Sequence, residues 1–409
     1  MTLPALEAPR GAAYYRLALI LGALTAMGPL AIDTYLPALP SIAREFQTTT
    51  SLVQASLSVY FVGIAAGQAV YGPLSDRLGR KPVLYIGLMM FIAASLGCAL
   101  ARNVESLIAF RFLQALGGCA PLVVPRAIVR DHFDPRESVR MLSILMLVMG
   151  LAPILSPLVG GQLLTYFGWR SIFWVHAIYA SVWLAAVTLG LPESLVPAKR
   201  QRQRIGQVMR IYGALLANRA FMAQVLAGAL VFSGLLAYIS GSPFVFIELF
   251  HVTEQQFGVY FGINAIGIIS ASQVNRWLAK RTEPSVILRR VLPVSMMAGL
   301  ALLVNAYTGF GGFAGILVPL FVYIATHGFV MPNTTALAMA PHGAVAGSAS
   351  ALLGSIQFIL GALAGTLVGV ASNGTAVPLA AVVAGCGAGA FAIHTLASVV
   401  VSAPAADRR

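Results

Sequence analysis

The sequence has little charge. Only 10% of its 409 residues are Asp, Glu, Lys or Arg, whereas a soluble domain carries about 25%. A water-soluble fold of this length needs more charge to cover its surface, so the composition excludes an ordinary soluble protein. The chain is 58% hydrophobic, and apolar runs of about 20 residues, the length that crosses a bilayer core as a helix, recur along it. We therefore predict an all-α membrane protein.

Cysteine and histidine are also scarce, and this argues against several kinds of site. The three cysteines, Cys98, Cys119 and Cys386, lie inside apolar runs, as expected for small buried side chains rather than for disulfides or a metal site. No pair of histidines in the spans has the spacing of metal ligands, and no Ser/His/Asp or paired-carboxylate constellation occurs there. The sequence thus predicts no metal, no cofactor and no enzyme activity.

Turn residues and charges divide the apolar sequence into twelve candidate transmembrane helices. The longest polar stretch, which begins at residue 192, separates six of them from the other six. We therefore predict two six-helix halves, residues 1–191 and 219–409, joined by a cytoplasmic linker at 192–218; two similar halves are a recurring plan among transporters. The approximate bounds of the helices are 17–40, 52–73, 83–101, 105–128, 141–164, 169–191, 219–242, 257–279, 286–308, 312–332, 345–371 and 376–402.

Positive charge is distributed unevenly among the predicted loops. If the N-terminus is cytoplasmic, 22 of the 26 Lys and Arg residues fall in inner segments and 3 in outer loops, while Arg111 lies inside a helix. Cytoplasmic loops of membrane proteins carry such an excess. The net charge of +13 is therefore interpreted as an orientation signal with both termini cytoplasmic, and it argues against nucleic acid as a partner.

The most distinctive loop follows the second span and reads GPLSDRLGRKP, residues 72–82. Its two glycines permit a tight connection between membrane helices. Asp76, which stands among three cations, can accept hydrogen bonds from an arginine or from a helix N-terminus. A solvated turn with topology-setting charges would explain the cations but neither the glycine spacing nor the single acid.

This loop resembles the loop signature of the major facilitator superfamily, GxLxDRxGRK, at every position from Gly72 to Lys81. The resemblance implies that the loop helps to lock the cytoplasmic gate as the two halves rock. We expect Asp76 to pair with Arg130 or with a helix N-terminus when that side is closed. The predicted gating residues are Gly72, Asp76, Arg77, Gly79, Arg80 and Arg130.

Two further stretches resemble motifs of the same superfamily. RFLQALGG, residues 111–118, resembles its arginine motif, which is associated with proton-coupled transport. GLAPILSPLVGG, residues 150–161, resembles its antiporter motif, with Ser156 where a glycine is usual. Small residues at four-residue spacing make a face for close helix contact there, and the prolines add a bend. The antiporter-motif residues are Gly150, Pro153, Pro157, Gly160 and Gly161, and their spacing favours antiport over symport.

Three more segments narrow the resemblance to the bicyclomycin and chloramphenicol resistance branch (Bcr/CflA) of the drug:proton antiporters. They are DTYLPALP at 33–40, SPFVFIE at 242–248 and GSASA at 347–351. The resemblance implies a major facilitator fold and proton-coupled efflux of phenicol- or bicyclomycin-like drugs across a bacterial inner membrane. The alternative is a proton-coupled metabolite or amino-acid exporter or symporter of the same fold. The expected partners are a small drug molecule, protons and the lipid bilayer, and the expected state is a monomer.

Asp33 and Arg111 are the lone acid and the lone base well inside the predicted spans. Burying an ionised carboxylate in hydrocarbon costs at least ~2.5–3.5 kcal/mol. If the first helix runs on to Pro40, the helical rise places Asp33 ~10 Å from its outer end, and Arg111 lies ~9 Å after Glu105. The two residues thus share a predicted depth. We predict Asp33 as the proton-coupling carboxylate and Arg111 as its partner, with a static ion pair as the alternative.

Other polar residues in the apolar helices are candidates for lining a substrate cavity. Each is equally compatible with bonding a neighbouring backbone group. They are Tyr35, Tyr60, Gln114, Tyr238, Asn264 and Gln357.

The charge distribution predicts the sidedness of the linker, and cysteine labelling tests it. In a variant that lacks the native cysteines, a cysteine at position 205 should resist an impermeant thiol reagent in intact cells. It should react in inside-out vesicles. Labelling of this cysteine from outside intact cells would reverse the predicted topology.

Overall fold

The computed structural model describes residues 11–195 and 205–402. The two ends of the chain, predicted to be cytoplasmic, and residues 196–204 of the predicted linker lie outside the described residues. Within the described ranges the regular structure is helical and contains no strand. The helices are α1 (Ala12–Asp33), α2 (Leu39–Glu45), α3 (Thr50–Leu78), α4 (Arg80–Ala99), α5 (Val104–His132), α6 (Pro135–Phe167), α7 (Arg170–Gly190), α8 (Ile205–Ala217), α9 (Arg219–Pro243), α10 (Glu254–Leu278), α11 (Pro284–Thr308), α12 (Gly312–Met339), α13 (Ala346–Val370) and α14 (Val377–Ser402).

Twelve helical segments of the described chain are long and apolar enough to cross a bilayer. Eleven of these segments begin in α3 to α7 and α9 to α14, and the twelfth combines α1 and α2 as Ala12–Glu45. The prediction of an all-α membrane protein with twelve spans is therefore confirmed.

The first span is interrupted rather than continuous. α1 ends at Asp33, a 3-10 turn occupies Leu36–Ala38, and α2 follows. Pro37 and Pro40 each fall in the first turn of their element, where a missing N–H costs nothing and the fixed φ suits a new start. The depth estimate for Asp33 assumed a helix through Pro40, which the structure does not have.

Residue contacts divide the chain into two compact units, Met1–Ile205 with Thr253–Phe261, and Gly206–Val252 with Gly262–Arg409. In the first unit, α1 packs on α5 and α6, and α4 packs on α5 and α7. In the second unit, α9 packs on α12 and α13, and α11 packs on α12 and α14. In both units, the first span packs on the fourth and fifth spans, and the third span packs on the fourth and sixth. The structure therefore contains an internal repeat of these helix pairings.

The predicted linker contains a helix, α8, that the sequence analysis missed. Its Leu215 is buried in an apolar cluster with Phe221, Val225 and Leu353, and Ile211 packs against the same cluster. A membrane span needs an apolar run of about 20 residues, whereas α8 has only 13 residues. A short helix with one apolar face therefore has no such run in its sequence.

The close approach of α4 and α5 depends on Gly117. A Cβ atom built on this residue would lie 2.5 Å from the backbone nitrogen of Phe91 and 2.7 Å from the carbonyl oxygen of Gly87. Lipid tails give little hydrophobic drive for one helix to bind another, so contact between small residues is what holds membrane helices together. Gly117 thus sets the distance between α4 and the part of α5 that contains the candidate residues Arg111 and Gln114.

Replacing this glycine tests the packing argument. Gly117→Ala should destabilise the folded protein by about 1–3 kcal/mol, because an overpacked contact forces backbone shifts. The measurement is the thermal unfolding temperature of purified protein in detergent, which should fall. Gly213→Ala in α8 is the matched control, since a Cβ there meets nothing within 4 Å and alanine is the better helix former. Equal unfolding temperatures for the two variants would contradict the argument.

Candidate functional site

Arg111 is the centre of a buried cluster in the first unit. Its side chain, on α5, is fully buried. The guanidinium carbon lies 4.6 Å from the ring centre of Tyr35, 4.2 Å from that of Tyr60 and 5.9 Å from that of Phe173. Cation–π contacts of this kind are worth about 2 kcal/mol or more when water is excluded. Aromatic rings from three other parts of the chain therefore hold the cation on α5.

Hydrogen bonds satisfy only part of the Arg111 guanidinium. Its Nη1 donates to the carbonyl oxygen of Ala31 at 3.1 Å and to Oε1 of Gln114 at 2.6 Å. Ala31 lies in the last turn of α1, where carbonyls lack partners within the helix. Nε and Nη2, which carry three of the five N–H groups of a guanidinium, have no hydrogen-bond partner among the described residues. This cluster therefore has unused donors for an incoming acceptor.

Asp33 is the last residue of α1 and is 4% exposed. It follows Ala31, which Arg111 contacts, by two residues. Within the described parts of the chain, no hydrogen bond or ion pair joins Asp33 to Arg111. The structure therefore brings Arg111 to the end of α1 that carries Asp33 but does not show the predicted pair.

Sequence reasoning missed His176, because it considered the histidines of the spans only as pairs of metal ligands. The structure buries His176 completely on α7, with Nε2 2.8 Å from Thr34 Oγ1 and Nδ1 3.5 Å from Gln114 Nε2. Thr34 Oγ1 gives its only hydrogen to the carbonyl of Leu30, so Nε2 of His176 is the donor to Thr34 and Nδ1 is an acceptor. Gln114 Nε2 also donates to Ser95 Oγ at 2.8 Å. These contacts span 142 and 62 residues of sequence, and no local pattern predicts them.

The remaining cavity candidates lie in separate places. Tyr35 is fully buried, and its hydroxyl lies 2.9 Å from Ser56 Oγ. In the second unit, Asn264 Nδ2 on α10 donates to the hydroxyl of Tyr238 on α9 at 2.9 Å, and Oδ1 of Asn264 has no partner among the described residues. Gln357, on α13, contacts the sulfur of Met331 at 3.9 Å. Of the six candidates, Tyr35, Tyr60 and Gln114 contact Arg111, and Tyr238 and Asn264 contact each other.

The predicted gating loop, residues 72–82, makes a sharp turn between α3 and α4. Gly79 joins the two helices with φ 107°, a backbone conformation that residues with a Cβ rarely adopt. Gly72, Asp76 and Arg77 lie in the last turns of α3, and Arg77 is exposed. The loop glycine is therefore required by backbone geometry, as its position in the motif implied.

Arg80, rather than Arg130, is the partner of Asp76. Arg80 is 2% exposed, and its Nη1 bonds Oδ1 of Asp76 at 2.6 Å, while its Nε bonds Oδ2 of Asp131 on α5 at 2.8 Å. Ser75 Oγ accepts a further bond from Nη1. The described residues show no Asp76–Arg130 pair, because Arg80, a cation four residues away, occupies the carboxylate. The pair predicted for the closed cytoplasmic side stays a prediction.

The helix N-terminus beside the loop also has a different acceptor from the one predicted. Glu193, after α7, accepts bonds from the backbone N–H groups of Arg80 at 2.9 Å and Lys81 at 3.1 Å, which open α4. A carboxylate at this position complements the positive end of the helix dipole. Ser194 donates to Asp131 at 3.0 Å. Glu193, Ser194 and Asp131 are functional candidates that lie too far along the sequence from the motif for the motif to reveal them.

The antiporter-motif residues Gly150, Pro153, Pro157, Gly160 and Gly161 all lie on α6. A Cβ on Gly160 would lie 2.1 Å from the carbonyl oxygen of Thr34. The motif therefore places α6 directly against the residue that follows Asp33.

Comparison with known proteins gives several matches. Residues 20–366 match the Major Facilitator Superfamily. Uncharacterized MFS-type transporter YdgK of Bacillus subtilis (strain 168) is 39% identical over 92% of this chain and 94% of the relative. Bicyclomycin resistance protein homolog of Haemophilus influenzae is 29% identical, with coverage of 88% and 90%. Multidrug resistance protein MdtL of Shigella dysenteriae serotype 1 is 30% identical, with coverage of 82% and 83%.

Solved structures share the fold. The crystal structure of a D-xylose-proton symporter matches with a TM-score of 0.73 over 96% of this chain and 98% of that chain, at 15% sequence identity. At this identity the likeness concerns the fold alone. It confirms the predicted twelve-helix architecture.

The contacts of Arg80 with Asp76 and Asp131 lead to a prediction about the gating loop. Asp76→Asn keeps a hydrogen-bond acceptor for Arg80 but removes the charge, so expression and folding should stay near normal. Transport should be impaired, and a cysteine placed in the inner cavity should become more accessible to thiol reagents. Arg80→Gln is the contrasting variant and should lower the thermal unfolding temperature, because it leaves Asp131 without its cation. Unchanged transport and accessibility in Asp76→Asn would count against a latch.

Proposed function

The chain belongs to the major facilitator superfamily, and from this premise we propose that it exports small drug molecules in exchange for protons. It is a multi-pass membrane transporter, and the described part of the chain has twelve apolar helices long enough to cross a bilayer. The proposal adds a substrate class of phenicol- or bicyclomycin-like compounds and a location in a bacterial inner membrane with both termini cytoplasmic. The printed names of two relatives, a bicyclomycin resistance protein homolog and a multidrug resistance protein, support efflux of antibiotics.

The observation that carries the proposal is the Arg111 guanidinium, which is buried with unused donors at the end of α1. A buried donor without an acceptor costs about 1–3 kcal/mol. Such a group is retained in a membrane span when it serves an ion or substrate pathway. An ionised Asp33 or a polar group of a drug each supplies the acceptor that Nε and Nη2 lack. Carboxylate and drug therefore compete for one cation.

The contacts around Arg111 support a mechanism in which the end of α1 moves relative to α5. Tyr60 and Gln114 bind the guanidinium on the α3 and α5 side, whereas α1 contributes the carbonyl of Ala31 and the ring of Tyr35. A shift of the α1 end relative to α5 changes the distance from Asp33 to Arg111. That distance affects the proton affinity of the carboxylate. Two states that differ in this distance couple proton binding to the movement of the helices.

Reconstituted protein tests the proposal. Wild-type protein in liposomes should move radiolabelled chloramphenicol against its gradient when a pH gradient is applied. Asp33→Asn keeps the size of the side chain and removes titration, so pH-driven transport should be abolished while drug binding stays measurable. Arg111→Lys keeps the charge but loses the planar fork, so partial activity is expected.

The outcomes separate the alternatives. Full pH-driven efflux by Asp33→Asn would rule out the coupling role and leave Asp33 as a structural residue. Wild-type liposomes that move a metabolite or amino acid with the pH gradient, but no drug of a broad panel, would favour the alternative transporter. Gln47→Asn, on an exposed turn outside the cluster, serves as the matched control and should transport as wild type does.

A further inference from the structure

A cavity of about 440 Å³ opens in the first unit, at the same end as the gating loop. Its volume lies within the range of small-molecule sites. α5 and α6 form its walls, with no residue of the Arg111 cluster among them. The lining residues are Arg126, Val129, Arg130, Phe133, Ser138 and Leu142.

Two arginines give this cavity its charge. Arg126 and Arg130 are four residues apart on α5, so their side chains lie on one face of the helix, where like charges repel. Both side chains are exposed. Neither guanidinium has a hydrogen bond or an ion pair within the described residues, in contrast to Arg80, which two carboxylates surround. The cavity therefore carries two positive charges that the described chain does not compensate.

Topology alone does not account for Arg126. Arg130 falls in the last turn of α5, where the helix dipole stabilises a cation. Arg126 lies a full turn further inside the segment Val104–His132, which is apolar enough to cross the bilayer. The dipole effect falls off within the last turn, and a charge inside a span faces a cavity or a partner. Arg126 thus requires an anion or water in this cavity.

The other walls of the cavity are mostly apolar. Val129, Phe133 and Leu142 supply hydrocarbon surface. The rings of Tyr14 and Phe133 form a T-shaped pair at a centroid distance of 5.8 Å, and Ser138 Oγ donates to the Phe133 carbonyl at 3.2 Å. The Phe133 ring therefore has an aromatic neighbour, and its backbone carbonyl is hydrogen-bonded. An apolar surface beside two uncompensated guanidinium groups suits a ligand that has both an apolar part and an anionic group.

We propose that this cavity binds an amphipathic organic anion, with its anionic group between Arg126 and Arg130 and its apolar part against Val129, Phe133 and Leu142. Guanidinium groups recognise phosphate and carboxylate through charge-assisted, bidentate bonds. The anion has two sources, the headgroup of an anionic phospholipid or a soluble amphipathic anion of the cell. The site is separate from Asp33 and Arg111 and does not depend on the export function proposed above.

Calorimetric titration of the purified full-length protein in neutral detergent tests this site. The probe is 1-octanesulfonate, a permanent anion with a short apolar chain. Wild type should bind it saturably, and Arg126→Gln should weaken the affinity at least about tenfold, since a charge-assisted bond is lost. Arg126→Gln with Arg130→Gln should abolish binding. Arg140→Gln is the matched control, because it removes an exposed arginine of α6 that does not line the cavity.

Two further ligands check the character of the site. Octyltrimethylammonium, which has the same chain and the opposite charge, should not bind. Sodium sulfate, which lacks the chain, should bind more weakly than 1-octanesulfonate. Leu142→Trp fills the cavity without changing its charge, so it should also abolish binding of 1-octanesulfonate. This variant replaces the double variant if the double variant does not fold.

Native mass spectrometry distinguishes the two sources of the anion. Phosphatidylglycerol that remains on wild type but not on the double variant identifies a lipid site. Binding of 1-octanesulfonate by a wild type that retains no lipid identifies a soluble anion. Wild-type affinity in the double variant, or in Leu142→Trp if that variant replaces it, would overturn the proposal. The proposal would also be overturned if wild type bound octyltrimethylammonium as tightly as 1-octanesulfonate, or if wild type did not bind 1-octanesulfonate.

Discussion

The burial of one guanidinium inside a membrane span is the constraint on which the first unit depends. A charged side chain at bilayer depth is costly unless protein groups surround it. For Arg111 these groups are the rings of Tyr35, Tyr60 and Phe173 and the oxygens of Ala31 and Gln114. They come from α1, α3, α5, α7 and the turn after α1. The elements can therefore pack in this way only if the guanidinium is placed among them, and the guanidinium can be buried only if these elements pack around it.

Arg80 and Arg111, which are both buried in the described part of this unit, are compensated in different ways. Arg80, at the end of the helices, bonds the carboxylates of Asp76 and Asp131. Arg111, at bilayer depth, has rings and neutral oxygens instead. Each ionised partner adds its own desolvation cost, and that cost is greatest in the middle of the hydrocarbon. Carboxylates thus suit the end of the bundle, while polarisable rings and neutral dipoles suit its interior.

The sequence predicted the parts of the fold that depend on apolar composition and the parts of the site that depend on the scarcity of charged residues in the spans. Apolar runs predicted twelve spans, and the lone acid and base drew attention to the region where α1 and α5 meet. It did not predict partners that are distant along the chain. Glu193 lies 113 residues from the N–H of Arg80 that it bonds, and His176 gives no local signal. The depth of Asp33 was estimated on a continuous helix, whereas Pro37 and Pro40 start new elements.

Arg111 donates the first bond of a hydrogen-bonded chain in which every bond has its donor on the side of Arg111. Gln114 accepts from Arg111 and donates to Ser95 and His176, His176 donates to Thr34, and Thr34 donates to a carbonyl. Aligned dipoles in a low-dielectric interior act on the guanidinium much as a fractional negative charge would. None of the groups that supply this partial charge is ionised. The cation therefore keeps part of its compensation whatever the charge on Asp33, so proton exchange at that carboxylate is compatible with a continuously buried Arg111.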